Sequence, residues 1–101
     1  MIVELSERAE VDLERILDDL ADRAGKRVAI RIVERIERRC MSLDQFPERG
    51  ARLRLDGLPE FRFLVEKPYL IAYRVREGTV EIIAVVHGAR DIEAVLRDGK
   101  A

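Results

Sequence analysis

Three side chains in the second half of the sequence could act on a phosphodiester. Arg74 lies in the apolar stretch YLIAYRV, while His87 and Arg90 come just after the run IIAVV. Cleavage of RNA without a metal needs a base for the 2′-hydroxyl, a cation for the phosphorane and an acid for the leaving oxygen. These three residues are catalytic candidates for those roles. A histidine that ends a strand before glycine is also typical of a turn residue bonded to the backbone.

Other catalytic chemistries find little support in the residues. One histidine and one cysteine form no cluster with the spacing of metal ligands, so neither a metal site nor a cofactor is predicted. Cys40 falls in a helical apolar stripe, which predicts a core residue and not a reactive thiol. Ser6 is placed to cap a helix, and Ser42 is predicted to lie inside the second helix with no base beside it.

The first half of the chain predicts a strand and two helices. Residues 2–5 favour a short strand, and Ser6 is a typical N-cap for a helix that Gly25 would end. A second helix follows and continues until Pro47 stops it. The short connection predicts an antiparallel hairpin of helices. The apolar positions of the two helices recur at steps of three and four: Ala9, Leu13, Ile16, Leu17, Leu20, Ala21 and Ala24, then Val28, Ala29, Ile32, Val33, Ile36, Cys40, Leu43 and Phe46.

Two apolar patterns predict neighbouring strands further along the chain. Phe61, Phe63 and Val65 recur at every second position, which predicts a strand with one strongly apolar face. Residues 69–75 are almost continuously apolar, which is typical of a strand covered on both faces.

A turn, a strand and a short helix complete the predicted fold. Residues 76–79 predict a hairpin turn in which Gly78 can take positive φ, and residues 80–86 predict the returning strand. Asp91 is placed to cap a helix that ends near Leu96. Helices grouped before an antiparallel meander predict an α+β fold. In it, an N-terminal strand precedes a helical hairpin that covers one face of a three-stranded sheet.

Length and composition limit the class of protein. The 101 residues predict one domain over residues 1–101. No apolar stretch approaches the roughly 20 residues that span a bilayer. The acidic start does not match a secretory signal, and a single cysteine agrees with a reducing compartment. We therefore expect a cytoplasmic protein with no membrane partner.

Charge is nearly balanced overall but divided along the chain. The net charge of −1 gives no simple electrostatic case for a nucleic-acid binder, so no direct binding of nucleic acid is expected. Residues 1–22 hold eight acids and two arginines, a net of −6, whereas residues 26–54 hold nine bases and four acids, a net of +5. The two segments could match each other and remain solvated, or they could form half of a binding surface.

Four stretches together resemble a known family. LSERAEVDLERI, FPERG, YLIAYRV and VEIIAVVHGARD are similar to the ParE branch of the RelE/ParE toxins, in the same order and over almost the whole chain. These proteins are the toxin halves of bacterial type II toxin–antitoxin pairs. The resemblance implies the strand, helical hairpin and sheet predicted above, and a protein that arrests growth.

Two activities occur in this superfamily, and three positions bear on the choice. The resemblance implies that RelE-like members cut messenger RNA on the ribosome with an arginine near the start of the central strand, where Leu70 stands here. Arg90 matches a second basic position, but Leu96 stands about where an aromatic acid–base residue would lie. ParE-like members instead inhibit DNA gyrase by protein–protein binding, which these losses favour. The ribonuclease is the alternative, and an inactive toxin that only binds its antitoxin is a third interpretation.

The resemblance also implies a ParD-like antitoxin, a small DNA-binding dimer whose tail folds on an apolar surface of the toxin. The leucines of the segment RLRLDGLPE could form part of that surface or an edge strand that closes the core. A homodimer of the free chain is compatible with the sequence. The candidates for contact with antitoxin or gyrase are Leu53, Leu55, Leu58, Arg62, Tyr73, His87, Arg90, Ile92 and Leu96.

Overall fold

The chain forms a strand, a helical hairpin, four further strands and a short helix in the computed structural model, which describes residues 1–88 and 92–98. This order confirms the predicted α+β class. Arg90 and Asp91 lie outside the described residues. The elements are β1 (Ile2–Leu5), α1 (Glu7–Ala24), α2 (Lys26–Met41), a 3-10 turn (Ser42–Asp44), β2 (Ala51–Leu53), β3 (Phe61–Glu66), β4 (Tyr69–Arg76), β5 (Thr79–His87) and α3 (Ile92–Arg97).

The strands of the described residues join in one sheet of five, in the order β1-β5-β4-β3-β2. β1 runs parallel to β5, and the other neighbours are antiparallel. β4 is the central strand, and its first five residues are buried, as the apolar sequence predicted. The sheet is larger than the predicted three-stranded meander because β1 and β2 add to its two edges.

The turn between β4 and β5 is shorter than predicted. Only Glu77 and Gly78 form it, with φ of 48° and 79°, and positive φ at both central residues is the geometry of a type I′ hairpin turn. Arg76 and Thr79, which were predicted to belong to the turn, pair across the two strands.

The two helices begin where the sequence predicted, but the second one ends earlier. Ser6 caps α1 by accepting a hydrogen bond from the backbone N–H of Ala9 at 3.0 Å. Gly25 ends α1 with φ of 93°. The prediction that α2 continues to Pro47 was wrong, because α2 ends at Met41 and gives way to the 3-10 turn. Ser42, predicted inside the helix, is its C-cap.

Two apolar cores lie on opposite faces of the sheet. The helical hairpin covers one face, which we call the inner face, and the core there includes Leu13, Ile36 and Ile71. α3 lies over the opposite or outer face, where Val95 and Leu96 pack in a cluster with Phe61, Ala72, Ile83 and Ala84. A sheet covered on both faces explains why β4 and β5 are apolar at almost every position.

The strand β3 does not have the single apolar face that its sequence predicted. Phe61 is buried in the outer core, but Val65, on the same face, is 46% exposed. Leu64 points the other way and is buried in the inner core. The period-2 pattern located the strand correctly, but it could not show how far each face is covered.

α1 is fixed to a bulge in β5. The pairing of β4 with β5 shifts register after Ala72, which leaves Ile83 as an extra residue. The hydroxyl of Ser6 donates to the carbonyl of Ile83 at 2.7 Å. The carboxylate of Asp12, only 6% exposed, accepts a hydrogen bond from the backbone N–H of Val85 at 2.9 Å. The cap residue and the first turns of α1 thus bond to the backbone of β5 beyond Ile82, where its pairing with β1 ends.

The acidic and basic helices are not joined by ion pairs. Within residues 1–88 and 92–98, no salt bridge links α1 to α2. Arg35 and Arg39 pair with Glu66 of the sheet instead, at 3.1 and 3.5 Å. The opposite net charges of the two helices therefore do not bind the helices to each other. No helix of this described part is long and apolar enough to cross a membrane.

Candidate functional site

Arg62 and Tyr73 hold one loop in place. They are direct partners across β3 and β4, and both reach the segment Phe46–Gly50, which we call the FPERG loop. The Tyr73 hydroxyl donates to the carbonyl of Pro47 and accepts from the N–H of Gly50, each at 2.8 Å. The Arg62 guanidinium donates to the carbonyls of Glu48 and Gly50, at 3.1 and 2.8 Å.

This arrangement gives Tyr73 a structural role in place of the predicted partner contact. Its side chain is completely buried, and both hydrogen bonds of its hydroxyl are made within the chain. Gly50 is required beside it, because a Cβ there would lie 2.7 Å from the tyrosine ring and from the carbonyl oxygen of Phe63. Arg62 is partly buried, and its guanidinium donates hydrogen bonds to the same loop.

Arg74 is neutralised by its neighbour in the sheet. Its Nε lies 2.7 Å from Oε1 of Glu81, its direct partner in β5, and both side chains are partly buried. This pair faces the outer side of the sheet, since the flanking Val80 and Ile82 belong to the inner core.

His87 ends β5 on the other side. Its exposed ring meets the ring of Tyr69 edge to face, with the centroids 5.4 Å apart and an interplanar angle of 88°. Tyr69 is its direct partner in β4 and belongs to the inner core. His87 therefore ends the last strand, as one of the two interpretations of the sequence predicted.

The structure does not bring Arg74 and His87 together. His87 pairs with Tyr69 at the start of β4, five residues before Arg74, which corresponds to about 16 Å along a strand. The two side chains also project from opposite faces of the sheet. Arg90 lies outside the described residues, so its position relative to either is not defined.

Five leucines and isoleucines among the predicted contact residues cluster around the outer core. Leu53 ends the edge strand β2, and with Leu55, Leu58 and Ile92 it packs partly buried against that core. Leu96 is 4% exposed and helps α3 to cover the sheet. β2 closes the core, as one interpretation of the RLRLDGLPE segment predicted, and the partly buried Leu53, Leu55 and Leu58 keep some exposed area.

Cys40 is a core residue, as its place in the helical apolar stripe predicted. Cys40 is buried in the inner core, and burial, with the nearby charge of Glu37, raises the pKa of its thiol to about 12. Such a thiol is a poor nucleophile at neutral pH. In the described residues, no group of three histidine, cysteine or acidic side chains could hold a metal ion.

Comparison with known proteins assigns the fold to a family. Residues 3–92 match the model of the ParE toxin of the type II toxin–antitoxin system parDE. The chain belongs to the ParE toxin family. Relatives include Toxin ParE3 of Caulobacter vibrioides, 33% identical over 85 residues that make up 84% of either chain. Toxin RelE2 of the same organism is 37% identical over 86 residues, covering 82% of this chain and 90% of RelE2.

A solved structure shares the architecture. The chromosomal ParDE TA system from P. aeruginosa contains a chain that superimposes with a TM-score of 0.76 at 25% identity, covering 88% of this chain and 97% of the other. The ParE resemblance inferred from the four sequence stretches is thereby confirmed.

Two features of this ParE-family chain were missed from its sequence. Val65 was placed on a buried face, although it is among the exposed large apolar side chains. The second is a cleft beside Tyr69. Its lining residues are dispersed from position 20 to position 87. No sequence pattern joins these positions, because only the packing of the hairpin on the sheet makes them neighbours.

Proposed function

We propose that this chain, as one domain over residues 1–101, is a cytoplasmic toxin that arrests bacterial growth by binding DNA gyrase. Its family membership supports the toxin, and one observation favours gyrase over RNA. Arg74 and His87 lie at opposite ends and on opposite faces of the sheet, so they cannot act on one phosphate. A toxin that blocks an enzyme by binding needs no such catalytic assembly.

The position of Leu70 agrees with this choice. The resemblance places the arginine of RNA-cleaving members here, but the position holds an apolar side chain that is only 8% exposed. Leucine cannot stabilise the negative charge of a phosphorane. The proposed mode of action is therefore protein–protein binding.

The proposal includes a cognate ParD-like antitoxin that covers the outer face. Val65, Leu70 and Val86 are consecutive partners across β3, β4 and β5, and they form an apolar row on that face. Val65 is exposed and Val86 partly so, while Leu58 and Ile92 extend the apolar area on the other side of the core. A folding antitoxin tail would bury this area and gain the free energy of apolar burial.

The test is a supercoiling assay with the purified chain, gyrase, ATP and relaxed plasmid. We expect a dose-dependent loss of supercoiling, together with linear DNA from trapped cleavage complexes. Addition of the protein encoded beside this chain should reverse both effects. Unchanged supercoiling at large excess of a demonstrably folded chain would contradict the proposal.

A ribosome-dependent endoribonuclease is the second candidate, since the chain is 37% identical to a protein named RelE2. We expect His87→Ala to inhibit gyrase as well as the original chain does, because the ring is exposed at the end of β5, where it packs on Tyr69. The same two proteins are then incubated with ribosomes that carry messenger RNA. Cleavage by the original chain and none by His87→Ala would favour the ribonuclease, whereas inactivity in both assays would indicate an inactive toxin.

A further inference from the structure

A cleft opens on the inner side of the sheet, away from the proposed antitoxin surface. It has a volume of about 240 Å³ and lies between the helical hairpin, the turn that joins β3 to β4, and the end of β5. Its apolar wall consists of Leu20, Ile32 and Pro68. Polar side chains from both helices, three strands and the turn complete the lining.

The lining carries an excess of positive charge. Arg23 of α1, Arg35 of α2 and Lys67 of the turn face one carboxylate, Glu66, which leaves a net charge of +2. Glu66 is already shared between Arg35 and Arg39, at 3.1 and 3.5 Å. Most of the positive charge in the cleft is therefore not matched by an acid of the lining.

The terminal N–H groups of Arg23 make no hydrogen bond within the described residues. The hydrogen bond it makes within the described residues is a long one, from Nε to the backbone carbonyl of Asp19 at 3.4 Å. Its terminal nitrogens can therefore reach a ligand in the cleft. Asp19 is an acid outside the lining whose charge also acts on Tyr69, and it is exposed on α1.

Tyr69 supplies a hydroxyl that makes no hydrogen bond among the described residues and borders the cleft. The side chain is 4% exposed, and it lines the cleft beside His87. Burial raises the pKa of Tyr69, while the charge of Arg23 lowers it and that of Asp19 raises it. A bound anion can accept a hydrogen bond from this hydroxyl in place of water.

We propose that this cleft binds a phosphate dianion, either inorganic phosphate or the phosphate of a small monoester. Cationic donors come from three parts of the chain, with Arg23 on α1, Arg35 on α2 and Lys67 in the turn. The net charge of +2 matches the −1.5 to −2 that a phosphate monoester carries at about pH 7. The apolar wall would contact the organic part of a monoester. This site is independent of the proposed action on gyrase.

The binding test titrates the ¹⁵N-labelled chain with inorganic phosphate, glycerol phosphate and acetate at equal ionic strength, followed by NMR. We expect saturable shifts at Tyr69, Lys67 and His87 with both phosphates, and none with acetate. A tighter complex with glycerol phosphate would identify a monoester as the ligand, and equal affinity would identify inorganic phosphate. Equal saturation by acetate, or shifts that never saturate, would overturn the proposal.

Three variants assign the effect to the cleft. Tyr69→Phe removes the hydroxyl and keeps the ring, and Arg23→Gln removes one cation. We expect each to weaken phosphate binding about ten-fold, which is the loss of one hydrogen bond to a charged group. Arg15→Gln, on the exposed side of α1, should bind like the original chain. If Arg15→Gln weakens binding as much as Arg23→Gln while Tyr69→Phe has no effect, the phosphate responds only to overall charge and the site does not exist.

Discussion

Tyr69 and Tyr73 project from the same face of β4, yet their hydroxyls have different surroundings. The Tyr73 hydroxyl makes two hydrogen bonds of 2.8 Å to the FPERG loop. The Tyr69 hydroxyl has no partner in the described part of the chain and borders a cleft. At the scale of residues, this difference separates a tyrosine that holds the fold from one that is available to a ligand.

Removing the two hydroxyls in turn should therefore have unequal effects on stability. Tyr73→Phe leaves the N–H of Gly50 and the carbonyl of Pro47 without their partner, which should lower the free energy of unfolding by about 1–3 kcal/mol. Tyr69→Phe should change it by less than about 0.5 kcal/mol. Urea denaturation measures both, and equal losses would show that the loop does not depend on Tyr73.

The thiol of Cys40 should make stability depend on alkaline pH. Burial raises its folded pKa from 9.0 to about 12. Between these values the unfolded thiol ionises and the folded one does not, so the free energy of unfolding falls as pH rises, by up to about 1.4 kcal/mol per unit. Urea midpoints from pH 8 to pH 10 test this. Cys40→Ala should be less stable at pH 8 and lack this part of the slope, and an identical slope would contradict the assignment.

The position of α1 depends on polar hydrogen bonds as well as on apolar packing. Its apolar stripe places it on the sheet, but Ser6 and Asp12 fix it to particular backbone groups at the bulge in β5. The apolar periodicity predicted the helix and its cap. It did not reveal Asp12, which looks like one of many acids on an exposed helix face until the fold places it beside Val85.

Replacement of Asp12 should reveal this attachment. Asp12→Ala leaves the buried N–H of Val85 unpaired and removes the ion pair with Arg8, which should cost about 1–3 kcal/mol of unfolding free energy. Asp12→Asn keeps an acceptor oxygen and should lose less. Asp18→Ala, on the exposed face of the same helix, serves as the control and should change stability by less than about 0.5 kcal/mol. Equal effects of the Asp12 and Asp18 alanine variants in urea denaturation would exclude the attachment.

For the whole molecule, the two sheet faces separate the proposed interactions. The outer face carries the apolar row that we assign to the antitoxin, and the phosphate cleft lies on the inner side. The FPERG loop, held by Tyr73 and Arg62, lies at the end of the sheet opposite the cleft. One face can therefore be altered without disturbing the other.

A matched pair of charged substitutions tests the outer face. Val65 and Ile30 are 46% and 43% exposed, the first on the outer face and the second on α2. We expect Val65→Lys to weaken antitoxin binding at least ten-fold, because a charge would be buried at the contact. Ile30→Lys should bind normally. Calorimetric titration with the neighbouring gene product measures both, and equal affinities would place the antitoxin elsewhere.

The class of fold, the order of its main elements and the family could be predicted from the sequence. Apolar spacing depends on local geometry, so it predicted α1 and the three long strands, and the four conspicuous stretches indicated a ParE-like toxin. It also predicted that Cys40 is buried and that His87 ends a strand. It did not reveal where α2 ends, since Leu43 and Phe46 fit the helical period equally well although the first is buried and the second is 61% exposed.

Which side chains contact each other is seen only in the folded chain. The tertiary structure separated Arg74 from His87, gave Tyr73 to the FPERG loop, and gathered Arg23, Arg35, Lys67 and Tyr69 around one cleft. The pairing of β1 with β5, across more than 70 positions of sequence, was likewise invisible beforehand. The physical reason is that side-chain periodicity records which face of an element is apolar, whereas the neighbour of each face is set by packing between distant segments.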